Sequence, residues 1–151
     1  MKIASEFPGG NIKVITIAND IIRLDTDMRD SKGDWFYWAF GIEGANGETL
    51  HFSFPKNRVG YYGPAVSHDL LSWEWLGKKD DEEKFSYTFG KDEGTVYFAH
   101  HILYPECRIS NLAKNHDFIK ISTLTQGRLG SNVPLVRFGE GDKKVDRKSV
   151  V

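Results

Sequence analysis

A chain of 151 residues can hold one domain with a real core, or one domain and the start of a second. Lys and Arg total 20 against 21 Asp and Glu, a formal net charge of −1, so the basic excess of a nucleic-acid binder is absent. Aromatics at 13% with 15 glycines favour a β layer over a helical bundle, and no run approaches the ~18 apolar residues of a membrane span.

The first ten residues lack the apolar stretch of a secretory signal, and the single cysteine, Cys107, permits no internal disulfide. A soluble, cytoplasmic protein is the expectation.

Ile12–Ile17 reads as a first strand, Asn19-Asp20 as a turn and Ile21–Leu24 as a second strand. Asp25–Asp34 is a loop by composition. Trp35–Phe40 is the most hydrophobic predicted strand. Its alternation sends Trp35 and Tyr37 to one face and Phe36 and Trp38 to the other, one set for the core. Thr49–Phe54 alternates cleanly, with Leu50, Phe52 and Phe54 on one face. Tyr61–Val66 and Trp73–Leu76 read as short strands, and Lys78–Lys84 as a charged loop. Lys84–Phe89 and Thr95–Leu103 then read as two further strands. About eight strands at 8–12-residue spacing predict an antiparallel β-sandwich.

The pattern changes after Tyr104-Pro105. Ile109, Leu112 and Ala113 fall at i, i+3 and i+4, which predicts a helix over Pro105–Asn115. Phe118–Leu124 and Val133–Phe138 follow as a hairpin around the Gln126–Ser131 turn. The polar turn Glu140–Lys144 and the apolar end Val150-Val151 read as a further strand just begun. The expected division is therefore 1–104 as a sandwich and 105–151 as the start of another domain.

The order of these elements resembles the cytosolic-type zinc carboxypeptidases. Trp35-Phe36-Tyr37 after a polar loop resembles a strand of their N-terminal β-sandwich. So do Gly63-Pro64-Ala65-Val66-Ser67-His68-Asp69 with Trp73, and Thr95–Ala99 running into Tyr104-Pro105. Lys120–Arg128 followed by Val133-Pro134-Leu135 resembles the first hairpin of their catalytic domain. The likeness runs from about Ile12 to Val151. It implies that a His-x-x-Glu zinc motif lies just beyond Val151. The chain would then supply no catalytic residue, no metal ligand and no cofactor contact, the zinc belonging to the parent enzyme. Arg128 belongs to the early hairpin and is not the family's carboxylate-binding arginine.

Sharper readings of single motifs each meet a plainer one. His100-His101 near Glu106 could be metal ligands, but adjacent strand residues face opposite ways, which favours a core or domain-interface role. His51 sits on the polar face of its strand. His68-Asp69 could orient a nucleophile, yet no Gly-flanked Ser or Cys accompanies it, so a turn or capping role is expected. Trp35, Phe36, Tyr37, Trp38, Trp73 and Trp75 could stack a sugar or single-stranded nucleic acid, though core duty explains their number. Cys107 is expected to be a small buried helix residue rather than a reactive thiol. Gly139-Glu140-Gly141-Asp142 follows no strand into a helix, so it does not cradle phosphate.

Two functions stay open. One is an accessory N-terminal domain of a zinc metallocarboxypeptidase, partnered by the catalytic domain and self-associating through the unfinished hairpin edge at Phe118–Ile121 and Val133–Val136. The other is a free-standing sandwich that binds carbohydrate or protein through exposed aromatics.

Overall fold

The computed structural model describes residues 1–28, 31–33, 35–77, 81–127 and 130–140. Asp34, Lys78–Asp80, Arg128, Gly141-Asp142 and the Lys148–Val151 strand start, all read from sequence above, lie outside the described residues. The chain divides into two compact units, Met1–Pro105 and Glu106–Val151.

The first unit is a β-sandwich. One sheet has five strands in the order β1 (Lys2–Ala4), β4 (Ala39–Glu43), β9 (Val96–Ala99), β6 (Ala65–Ser67) and β7 (Glu74–Trp75). The other has four, in the order β2 (Lys13–Ala18), β3 (Ile21–Asp25), β5 (Thr49–Ser53) and β8 (Lys84–Thr88). Every pairing in the unit is antiparallel except β3 with β5, where Ile21, Ile22 and Arg23 run parallel to His51, Phe52 and Ser53.

Alternation explains the cleanest strands. In β5, Leu50 and Phe52 are buried while Thr49 and His51 are exposed, as a strand with one solvated face requires. β3 repeats the pattern, with Ile22 and Leu24 inward. Between the sheets the inward rows meet as a ring cluster. Phe98 lies 5.4 Å from both Phe40 and Phe52, 5.5 Å from Phe85 and 5.1 Å from Tyr87. Trp38 stacks on Phe54 at 4.7 Å and donates its indole N–H to the Arg58 carbonyl at 2.7 Å, so its one polar atom is satisfied inside the core.

The predicted strand Trp35–Phe40 is displaced. The ladder begins at Ala39 and continues to Glu43, and residues 35–38 are not strand. Alternation therefore does not govern them: Trp38 is fully buried, but Phe36, two residues before it, is 51% exposed. Gly41 hid the continuation. Gly is poor in strands, but here a Cβ would meet the Tyr97 ring at 3.1 Å, so the glycine makes room for a cross-strand aromatic. Tyr61–Val66 shortens to β6 because Gly63 N–H closes a turn onto the Gly60 carbonyl at 3.1 Å. Thr95–Leu103 shortens to β9, with Leu103 returning to a small cluster beside Ala39 and Ala99.

The second unit comprises α1 (Glu106–Lys114) and a hairpin of β10 (Ile119–Gln126) and β11 (Asn132–Phe138). No residue of α1 is buried. Cys107 is exposed, contrary to expectation: it lies in the first turn of a helix that has no buried residue. Phe118, Leu124 and Phe138 are also exposed. Among the described residues no helix is long and apolar enough to cross a membrane.

Phe98→Ala should lower the unfolding free energy by about 3–5 kcal/mol, read from denaturant titration, because five rings lose a common neighbour. Gly10→Ala should also destabilise, since its Cβ would fall 2.0 Å from the Ser5 carbonyl oxygen, a backbone atom that cannot swing aside. A two-stranded hairpin is marginal by itself. Amide exchange should accordingly be faster in Ile119–Gln126 than in Val96–Ala99, and equal protection would refute that ranking.

Candidate functional site

Among the described residues, chemistry-bearing side chains gather in three places on the sandwich. The first follows β6. Ser67 ends that strand, and its hydroxyl accepts the Leu70 N–H at 2.9 Å. Asp69 then caps the turn: its Oδ1 accepts N–H bonds from Leu71 at 2.8 Å and Ser72 at 2.7 Å. These bonds to Ser72 and Leu71 lower its pKa from 3.8 to about 2. His68 points elsewhere, with Nε2 3.6 Å from Glu93.

Glu93 is the residue that sequence reading missed. Its Oε1 accepts the Tyr87 hydroxyl at 2.5 Å and its Oε2 accepts the Gly90 N–H at 2.6 Å, tying β8 to the turn before β9. Burial, reinforced by the Glu93 bond, pushes the Tyr87 pKa up, so the phenol stays a neutral donor. A cavity of about 320 Å³ opens beside this pair, lined among others by His68, Asp69, Glu74, Trp75 and Tyr87. Asp69 is committed to backbone N–H groups, so it serves as a wall of that cavity and not as a free base.

The second place is the loop after β9. The His100 and His101 rings lie 5.0 Å apart at 81°. His100 packs against Phe36 at 5.1 Å and Trp38 at 6.3 Å. Desolvation first, then the charges of His101 and Arg58, lowers its pKa. Perpendicular rings, one of them desolvated, do not converge on an ion. Among the described residues no three His, Cys, Asp or Glu side chains come together to hold a metal. The zinc implied by the family resemblance therefore finds no fit in them.

From these histidines an exposed series of rings continues through Trp75, 5.6 Å from His101, to Tyr62 and Tyr61. Trp75 meets His101 at 82° and Tyr61 meets Tyr62 at 87°. Rings set edge to face give no flat platform on which bases or sugars could stack in succession.

The third place is the outer face of the four-stranded sheet. Cross-strand register brings His51 between Asp20 and Ser86, with Nδ1 2.7 Å from the Ser86 Oγ and Nε2 3.6 Å from the Asp20 carboxylate. Thr49 and Thr88 pair hydroxyls beside them at 2.9 Å. Ser86 is mid-strand, its neighbours' N–H groups belong to the ladder, and the group is a set of cross-strand pairs.

The profile of the cytosolic carboxypeptidase N-terminal domain matches residues 3–101. The chain belongs to this family. No curated protein matches it. A putative carboxypeptidase A from Shewanella denitrificans superposes with a TM-score of 0.68 at 25% identity, over 94% of this chain and 41% of that one. A putative carboxypeptidase from Burkholderia mallei gives 0.67 at 22% identity, over 95% and 40%. A Pseudomonas aeruginosa metallo-carboxypeptidase, solved with (2-guanidinoethylmercapto)succinic acid, gives 0.69 at 20% identity, over 94% and 41%. The chain thus spans about two fifths of the length of these structures. In this cytosolic carboxypeptidase N-terminal domain, the carboxylates of Asp69 and Glu93 hold turns together.

Because the folded pKa of Asp69 lies below 3.8, its stabilising effect is complete above that pH and is lost as pH falls towards 2. Asp69→Ala should melt at a lower temperature than the parent chain at neutral pH. The gap should close across that acid window in a melting series. A constant gap would show that the carboxylate charge plays no part.

Proposed function

We propose that this chain is the accessory N-terminal module of a zinc metallocarboxypeptidase, carried with the first helix and hairpin of the catalytic domain. One observation carries the reading. The likeness to the Shewanella structure covers 94% of the chain, more than residues 3–101 account for, so it runs on past the sandwich. On this reading residues 1–104 are the module and 105–151 open the catalytic domain. The exposed apolar side chains of the hairpin, Leu124 and Phe138 among them, await partners from the rest of that domain.

The parent would hydrolyse a C-terminal peptide bond with zinc-activated water, on ligands supplied outside these residues. The module would steady the catalytic domain and shape the mouth of its cleft, in the cytoplasm. The rival reading, a free carbohydrate- or protein-binding module, rests on the exposed rings; Trp75–His101 and Tyr61–Tyr62 stand edge to face while Trp35 and Phe36 stack, and the family match over residues 3–101 favours the first reading.

Reading the gene past the codon for Val151 is expected to reveal a His-x-x-Glu motif in frame. The extended protein should release C-terminal residues from peptides and lose that activity to a chelator. The 151-residue chain alone should show neither activity nor tightly bound zinc in metal analysis. An open frame without the motif, or one tight zinc per 151-residue chain, would overturn the proposal.

A further inference from the structure

The two sheets of the sandwich have four edges, and three of them are blunted. β1 is three residues long, and its Lys2 pairs with Glu43 at 3.5 Å. β7 has two residues, one of them Glu74. β8 starts at Lys84, which pairs with Asp81 at 3.3 Å. Shortness and charge are the usual protection for an edge whose N–H and C=O groups lack a ladder partner. β2 has neither. It runs six residues, all exposed, and Val14-Ile15-Thr16-Ile17-Ala18 carries no charge.

The apolar core also ends open at this edge. Val14 pairs with Leu24 and Ile17 with Ile22, and both partners are fully buried. Val14 is nevertheless 41% exposed and Ile17 51%. In a regular strand residues 14 and 17 would point to opposite faces. The register shift between Val14 and Thr16 puts both on the core-facing row. A bulge often twists an edge away from partners; here it also lines up two β-branched side chains along an uncovered rim.

We propose that β2 is a pairing edge and that a second copy of this chain occupies it, β2 against β2 antiparallel about a twofold axis. An isologous contact must be self-complementary, and this strand is. The Val14 and Ile17 row of one copy would continue into the same row of the other. Antiparallel alignment also carries the exposed Lys13 of each copy towards the Asn19-Asp20 turn of its mate, giving two symmetry-related ion pairs. The Asp20 side chain is 57% exposed and already lies 3.6 Å from His51 Nε2, so the mate's lysine would join an existing pair. The two four-stranded sheets would become one of eight, with a shared core. This contact requires no catalytic domain and stands apart from the carboxypeptidase reading.

Sedimentation equilibrium of the full chain is expected to show a monomer–dimer equilibrium. Ile17→Lys should raise its dissociation constant by about tenfold or more, while an unchanged unfolding midpoint shows that the half-exposed site tolerates lysine. Lys13→Asp should also weaken the dimer, and adding Asp20→Lys should restore it, a rescue that mere unfolding cannot mimic. Leu124→Lys, on the hairpin, should change nothing. A monomer at every attainable concentration would overturn the proposal. So would a dimer indifferent to Ile17→Lys, or one dissociated by Leu124→Lys.

Discussion

The sandwich depends on one set of ring contacts. Phe98 stands where the two sheets face each other and touches rings from both, Phe40 beside it and Phe52 and Phe85 opposite. Aromatic side chains bury large areas and prefer tilted or edge-on contacts, which fixes orientation as well as spacing. Once Phe98 is seated, its strand neighbours are constrained as well. Tyr97 must lie on the opposite face, over Gly41, and a side chain at that position would push it off. Trp38 closes the same core at one end, and its bond to the Arg58 carbonyl holds the irregular segment after β5 against the sheet.

Around this core, polar residues that look like chemistry perform structural work. Asp69 ties down two backbone N–H groups, Glu93 holds a phenol and a third N–H, and His51 joins neighbouring strands. Each would attract notice as a potential acid, base or ligand if read singly. Together they keep the turns of a small sandwich from fraying. The side chains that titrate abnormally do so because a turn or a buried ring claims them.

Much of this was legible in the sequence. Strict alternation located β5 and β8 almost to the residue, and the change of period after Pro105 located α1 and the hairpin. The family resemblance rested on the order of such pieces. Asp69 was readable as a turn residue because its bonds are local. The misplaced start of β4 has a physical cause: Ala39 and Gly41 are weak strand formers alone, and only their pairing with β9 makes them one. β1 went unread because three residues carry too little pattern. Glu93 and the Asp20–His51–Ser86 set were invisible because turn geometry and cross-strand register, not spacing along the chain, bring them together. The parallel β3–β5 pairing had no local signal at all.

That parallel pair has a consequence for how the molecule comes together. Between β3 and β5 the chain leaves for the opposite sheet, where it lays down β4, before returning alongside β3. The four-stranded layer thus cannot be finished independently, because its second and third members are joined through the other layer. Folding must bring residues about thirty positions apart into register while a third segment docks across them. Such non-local closure is entropically expensive ahead of its reward, and it slows assembly relative to a simple meander of hairpins. The sandwich should form as one cooperative unit, with neither layer persisting without its mate.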